Sequence, residues 1–239
     1  MKKLTLIPVS LLVAACGGGG GGSVDVPPVP PETTVDFEVT VVNLTNAQPL
    51  SPPGVVVHEG AFRVFEVGTA ATVGLEELAE GGDPAALLAE ADGQDGVLQT
   101  LSFDGPVPPG ATSTSQFTVV ESELRELSVS VATMLVNTND AFTAVNSAEG
   151  FDQMAPGSTV SFRTIAYDAG TEADTEAPGT IPGPADGGEG FNADRDDEFD
   201  RVSMHGGVVS ASAGLATSRL TDQHRFDNPV AEIRITRLN

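Results

Sequence analysis

The sequence predicts a mainly β protein, an antiparallel β-sandwich with one or two short helices. Short apolar runs, several of them alternating with polar residues, recur along the 239-residue chain. The 27 glycines and 17 prolines break these runs into pieces of strand length. Only two segments have a helical pattern. Many short strands with few helices are typical of a sandwich rather than of a parallel α/β sheet.

The clearest strands lie at the two ends of the predicted domain, where apolar residues point to one face. These core-facing residues are Phe37, Val39, Val41, Ala231, Ile233 and Ile235. Further apolar runs favour strands at 55–57, 62–67, 97–103, 115–120, 127–136 and 159–167, with 58–60 as the turn between the first two. Helices are predicted at 74–80 and 83–91, and Asp83 is the expected N-cap of the second, with Pro84 at its first position.

The first 15 residues predict a lipoprotein signal peptide. Two lysines precede the apolar stretch 4–13, and Ala14-Ala15 precede Cys16. The sequence LVAAC resembles the lipobox of bacterial lipoproteins, which implies that Cys16 is lipidated and becomes the first mature residue. An ordinary secretory signal with a chance cysteine is the alternative. The glycine after Cys16 is consistent with export to the outer membrane, and the sequence leaves open whether the domain faces the periplasm or the exterior.

Residues 16–35 are rich in glycine and proline and are predicted to tether a folded domain at 36–239. Cys16 is the only cysteine, so neither a disulfide within the domain nor a cysteine-based zinc site is expected. The formal net charge of −23 repels nucleic acid and anionic lipid headgroups. It favours cations, basic partners, simple solubility or adaptation to a salty habitat.

The acidic turn after the strand at 159–167 is the strongest candidate site. In the sequence DAGTE at 168–172, Asp168 and Glu172 flank Gly170, which can adopt a positive φ and let both carboxylates point toward one ion. Carboxylate oxygens suit a hard cation, and calcium is the expected one. A solvated acidic loop is the alternative, because a chain with 34 acidic residues has many close pairs.

Three segments together resemble the spondin N-terminal domain, the module shared by F-spondin and mindin. They are 70–83 (AATVGLEELAEGGD), 134–142 (MLVNTNDAF) and 167–172 (YDAGTE). The resemblance implies a C2-like sandwich, a divalent-cation site in the loops at one end, and adhesion or recognition outside the cell. It assigns the metal ligands to Asp140, Asp168 and Glu172. Asn137–Asn139 and Ala141 depart from the Ser-Pro-Ser-Pro-Asp-Trp-Phe pattern of the animal members, and Glu172 stands where aspartate is usual.

A second acidic segment, 192–197, begins like an EF-hand loop, but Asp197 replaces the glycine and Ser203 the final glutamate. An EF-hand is therefore excluded. The candidate ligands of an auxiliary ion are Asn139, Asp194 and Asp196. A solvated loop neutralised by Arg195 and Arg201 is the alternative.

The sequence does not indicate an enzyme. It has no Gly-x-Ser-x-Gly elbow and no phosphate-binding loop, and His58, His205 and His224 show no metal-ligand spacing and are expected at turns or core edges. The expected function is a lipid-anchored envelope protein that binds a protein or polysaccharide through its ion-bearing end, with no nucleic acid and no organic cofactor. The alternatives are a passive envelope or matrix component in which the ion only braces loops, and a hydrolase.

Overall fold

Ten strands arranged in two antiparallel sheets dominate the computed structural model, which describes residues 32–239. The predicted signal peptide, Cys16 and the tether up to residue 31 lie outside the described residues. The strands are β1 (Thr34–Asn43), β2 (Gly54–Glu59), β3 (Val97–Ser102), β4 (Thr112–Val120), β5 (Leu127–Met134), β6 (Ala141–Ala148), β7 (Thr159–Thr164), β8 (Ala166–Asp168), β9 (Ser203–Met204) and β10 (Ala231–Arg237). The helices are α1 (Val73–Gly81) and α2 (Ala85–Asp92).

The four-stranded sheet has the order β4–β1–β10–β7, and the six-stranded sheet has the order β3–β2–β5–β6–β8–β9. The mainly β, antiparallel fold is thus confirmed. The first strand begins at Thr34, two residues before the predicted start of the domain. In the part of the chain that the structure describes, no helix combines the length and the apolar character needed to cross a membrane.

The main core lies between the two sheets. In β1, Phe37, Val39 and Val41 are fully buried, as are Ile233 and Ile235 of the neighbouring β10, so the predicted core faces of these strands are confirmed. A second apolar cluster lies on the opposite face of the six-stranded sheet, where α1 and α2 cover it. The sandwich therefore has one open polar face, on the four-stranded sheet, and one face covered by helices.

The first helix has a side-chain N-cap and a glycine C-cap, whereas the predicted N-cap of the second helix, Asp83, lies one residue before the observed one. The Thr72 side chain accepts a hydrogen bond from the Leu75 N–H (3.2 Å) at the start of α1, and Gly82, with φ of +72°, ends the helix in the left-handed conformation. The second helix begins at Ala85, after Pro84, so the predicted boundary is slightly early. Asp83 nevertheless accepts a hydrogen bond from the Ala85 N–H (2.9 Å).

The prediction of one continuous strand at 159–167 is wrong. Strand β7 pairs with β10 in the four-stranded sheet, whereas β8 pairs with β6 and β9 in the six-stranded sheet. Ile165 alone separates them, so the chain crosses between sheets at this residue. Because β7 is an edge strand, Val160 and Phe162 are only half-buried rather than the core of a buried strand.

The apolar run at 62–67 does not form a strand, and His58 and Glu59 belong to β2 rather than to a turn. In the 62–67 segment, Phe65 packs against Tyr167, with ring centroids 4.6 Å apart. The Asn146 side chain holds the segment by accepting from the Val64 N–H (2.9 Å) and donating to the Phe65 carbonyl (2.8 Å). These apolar residues therefore serve the packing of a loop. Strand β6, by contrast, is not among the predicted strands.

The aromatic cluster in the main core gives a test of the packing. Phe37 stacks on Phe117 at 5.3 Å and meets Phe151 edge-on at 5.8 Å. Replacing Phe37 with alanine removes a fully buried ring and should lower the free energy of unfolding by about 3–5 kcal/mol, measured by denaturant titration. Phe199→Ala, at a side chain that is 60% exposed, is the matched control and should change it by less than about 0.5 kcal/mol. Equal effects would contradict the assigned core.

Candidate metal centre

Asp140 is placed by the loop that joins β5 to β6, immediately before the first residue of β6. The Thr138 hydroxyl donates to the Leu135 carbonyl (2.6 Å) and accepts from the Ala141 N–H (3.1 Å). Asn137 to Asp140 are all at most 2% exposed. The loop is therefore a buried polar structure held by its own hydrogen bonds, and it fixes Asp140 in the interior.

Asp168 is the last residue of β8, and sheet pairing places it opposite Ala141. This register brings Asp168 beside Asp140 although the two residues are far apart in sequence. Gly170 follows with φ of +70°, and a Cβ at this position would collide with the Arg201 backbone. The turn thus requires glycine on two counts, a positive φ and a close backbone approach. The Gly170 N–H donates to Asp168 Oδ1 (2.7 Å).

The two oxygens of Asp140 have different environments. Oδ2 accepts hydrogen bonds from the Thr171 N–H (2.8 Å), the Thr171 hydroxyl (3.2 Å) and the Glu172 N–H (3.1 Å). Oδ1 has no hydrogen-bond partner among residues 32–239, although Asp140 is fully buried. A buried carboxylate oxygen without a donor is costly unless a positive charge approaches it.

Asp174 completes the acidic cluster. One carboxylate oxygen from each of Asp140, Asp168 and Asp174 lies within 4.8 Å of the other two. Asp140 is buried, Asp168 half-buried and Asp174 exposed, so the cluster opens to solvent on the Asp174 side. This spacing and this set of all-oxygen donors fit a hard divalent cation. We refer to these three side chains as the aspartate triad.

The family model of the spondin N-terminal domain (Spondin_N) matches residues 50–178, more than half of the chain. The chain belongs to the spondin N-terminal domain family. No curated protein matches it. The matched region contains the whole aspartate triad and the strands from β2 to β8, whereas β1, β9 and β10 lie outside it. The family suggested by the three sequence motifs is therefore confirmed.

Two of the three predicted metal ligands lie together in the spondin domain, and the third does not. Asp140 and Asp168 meet, as the sequence motifs suggest, but Glu172 is not part of the aspartate triad. The Glu172 Oε2 instead lies 3.4 Å from the Asn139 amide nitrogen. Asp174 was not predicted. The only sequence signal for it is an acidic residue two positions after the DAGTE turn.

His205 belongs to the surroundings of this spondin site, beyond its predicted role at a core edge. Its Nε2 lies 3.3 Å from Asp174 Oδ1, and its Nδ1 accepts a hydrogen bond from the Gly207 N–H (2.8 Å). Because Nδ1 is an acceptor, the ring proton resides on Nε2, and this N–H lies beside Asp174 without forming a hydrogen bond among the described residues. His58 and His224 bond instead to Ser130 and Thr221.

The auxiliary site predicted from Asn139, Asp194 and Asp196 is not assembled as one acidic group. Asn139 directs Nδ2 toward Glu172 while its Oδ1 accepts from the Glu176 N–H (3.1 Å). Asp196 accepts from the Ala173 N–H (2.8 Å), and Asp194 is exposed. The auxiliary ion therefore stays a prediction.

Two arginines of the same loop have distinct contacts. Arg195 pairs with Glu76 (2.6 Å) and Asp200 (2.7 Å) and donates to the Ala71 carbonyl (2.9 Å). Arg201 lies over the Phe199 ring, 4.9 Å from its centroid. Arg195 thus anchors the 192–200 loop to Glu76 of α1 and to Ala71, two residues before the helix, and its charge is already balanced by two carboxylates.

Burial and mutual repulsion disfavour the charged forms of these acids. Burial, followed by the charges of Asp140 and Asp174, raises the pKa of Asp168 to about 7. Burial, followed by the charge of Glu80, raises the pKa of Glu172 to about 8. Burial raises the pKa of Asp140 as well, against the hydrogen bonds from Thr171 and Glu172. Burial alone would lower the pKa of His205, but Asp174 and the other aspartates raise it.

These shifts predict a pH dependence of stability for the chelator-treated protein. The ordinary pKa values of Asp168 and Glu172 are 3.8 and 4.5, so at intermediate pH the folded state retains protons that the unfolded chain has released. A folded state that binds more protons loses stability as the pH rises. The free energy of unfolding should therefore fall between about pH 4.5 and pH 8, measured by urea titration with EDTA.

Asp168→Asn is the control for this pH dependence. Asparagine does not titrate, so the fall in the free energy of unfolding should be shallower in this variant. Millimolar calcium should also flatten the curve, because the ion replaces the protons. A free energy of unfolding that rises with pH over this interval would contradict the assigned repulsion among the carboxylates.

Proposed function

We propose that this spondin domain binds a divalent cation at the aspartate triad and uses the ion-bearing end to recognise a ligand outside the cytoplasm. The observation that carries the proposal is Asp140, a fully buried residue whose Oδ1 has no donor and whose carboxylate lies in a cluster with two further carboxylates. A buried charge that lacks a partner costs several kcal/mol, and a cation between the carboxylates removes this cost.

Calcium is the ion that the donor set favours. All the protein donors are carboxylate oxygens on a loop, a strand end and a second loop, and calcium accepts such irregular sets with six to eight oxygens. Zinc and similar metals prefer nitrogen and sulfur, but the nearby His205 presents a protonated Nε2. Three aspartates leave several coordination positions open, and the exposed side chain of Asp174 marks the side from which water or a ligand oxygen would reach the ion.

A purely structural role is the second candidate, and a specific observation favours it. The three hydrogen bonds to Asp140 Oδ2 already join the β5–β6 loop to the DAGTE turn. In that case the ion would brace two loops without contacting a partner. Both proposals are non-enzymatic, and the proposed hydrolase alternative has no nucleophile motif in its support.

We further propose that the domain is exported and anchored to the outer membrane through a lipid on Cys16. The support is the sequence alone, namely the basic and apolar leader, the LVAAC segment and the Gly/Pro-rich residues before Glu32. The high negative charge would hold the domain away from anionic lipid headgroups, so the anchor is its expected membrane contact. The expected ligand is an envelope or extracellular protein or polysaccharide.

Calcium should raise the melting temperature of the protein, because an ion that binds only the folded state stabilises it. At a free calcium concentration of about 100 times Kd, the expected rise is about 5–10 °C, measured by differential scanning fluorimetry against an EDTA sample. Asp174→Asn should lose most of this rise. Its side chain is 43% exposed, so the variant should fold.

Asp104→Asn is the matched control, since Asp104 is an exposed aspartate outside the triad. This variant should keep the full response to calcium. A melting temperature of the unmodified protein that stays the same at millimolar calcium would contradict the metal site.

The Asp168→Ala variant distinguishes the ligand-recognition role from the purely structural role. Both roles predict lower stability of the variant in calcium, because a ligand of the ion and the acceptor of the Gly170 N–H are lost. Only recognition predicts that calcium-dependent binding to isolated envelope polysaccharide or to cells is abolished, measured below the melting temperature of the variant. A folded variant that binds as well as the parent would support the structural role.

A further inference from the structure

A cavity of about 350 Å³ lies between the loop that follows β2 and the helix α2, next to the start of α1. Its apolar lining consists of Val64, Leu87 and Ala91, which are at most 4% exposed, and the half-buried ring of Phe62. A cavity of this size with a mainly apolar lining can hold a small molecule. None of the residues that line it belongs to the aspartate triad.

Two opposite charges, those of Arg63 and Glu90, line the same cavity. Both residues are exposed, and among residues 32–239 neither forms an ion pair, with the other or with a third side chain. One N–H group of the Arg63 guanidinium donates to the Phe62 carbonyl (2.8 Å), and its other N–H groups have no acceptor among these residues. A cation and an anion therefore lie at one cavity without neutralising each other.

The segment that carries Arg63 is anchored on both sides. Phe62 meets His58 edge-on, with ring centroids 5.0 Å apart. The Val64 N–H donates to Asn146 Oδ1 (2.9 Å). The backbone at Arg63 is thus fixed before any ligand arrives, which reduces the entropic cost of binding.

The Glu90 carboxylate is held by the backbone of α1. Its Oε1 accepts a hydrogen bond from the N–H of Gly74 in the first turn of that helix (2.8 Å), whereas Oε2 accepts none from the described residues. One oxygen therefore joins α2 to α1, and the other is left to accept from a ligand.

We propose that this cavity binds a small zwitterion with an apolar side chain, namely an amino acid or a dipeptide. The ligand carboxylate pairs with Arg63, because the planar guanidinium can donate to both of its oxygens. The ligand ammonium pairs with Glu90, and the ligand side chain contacts the apolar lining. A ligand with a single charge would leave one of the two protein charges unpaired, whereas a zwitterion satisfies both.

Ligand-observed NMR titrations of the full chain with leucine and with leucyl-leucine test the proposal. At least one of the two should bind, with a Kd between micromolar and millimolar because the ligand is small. For the compound that binds, acetylating the amine or amidating the carboxylate should each weaken binding by about tenfold or more, since a charge-assisted contact is lost. The glycine counterpart should also bind more weakly, because it lacks the apolar side chain.

Variants of the two charged residues connect each ligand group to its partner. Arg63→Gln should lose the preference for the free carboxylate over the amide, and Glu90→Gln should lose the preference for the free amine over the acetylated compound. Both variants should fold, because Arg63 is exposed and glutamine at position 90 can still accept from the Gly74 N–H. Arg163→Gln, on β7 outside the cavity and with its side chain 74% exposed, is the matched control and should bind like the parent.

The absence of binding by both compounds at about 10 mM would overturn the site, because that concentration is above the expected Kd. Binding that tolerates either blocking group would overturn it as well, and so would preferences that stay unchanged in Arg63→Gln and Glu90→Gln. The response of the melting temperature to calcium does not involve these residues, so the zwitterion site and the metal site are tested separately.

Discussion

The hydrogen bonds that converge on Asp140 Oδ2 are the constraint on which the aspartate triad depends. They join the loop between β5 and β6 to the backbone of Thr171 and Glu172, and so fix the turn that follows β8. Because one oxygen of the carboxylate performs this task, the other is held in place without a donor. The structure therefore positions a buried carboxylate oxygen that lacks a donor, by means of two backbone N–H groups and the Thr171 hydroxyl.

The rest of the cluster follows from sheet register and chain crossing. Asp168 reaches Asp140 only because the chain leaves the four-stranded sheet after β7, crosses at Ile165 and pairs β8 with β6. The chain then continues to Asp174, whose carboxylate returns to the same point. The acids are thus brought together by the fold despite their repulsion, and the cost appears as raised pKa values of Asp168 and Glu172.

The features that could be predicted from the sequence are those that local residue patterns determine. Strict alternation placed β1 and β10 with their buried faces, the helical pattern at 74–80 placed α1, and three motifs placed the family. The strand break at Ile165 could not be predicted from the sequence, because the apolar residues continue from β7 into β8. Only the pairing of the two strands with different neighbours separates them. Asp174 was missed for a similar reason, since its contact depends on the path of a loop rather than on spacing. Glu90 could be placed on a helix, but the cavity that it shares with Arg63 is a property of tertiary packing.

The position of β1 within its sheet has a mechanical consequence. This strand follows directly after the residues that precede the domain, and it is paired on both sides, with β4 and with β10. A pulling force applied through the N-terminus would load both ladders in shear, so that many backbone hydrogen bonds would have to break together rather than one after another. The domain would then resist unfolding by a force on its N-terminal end more strongly than if its first strand lay at a sheet edge.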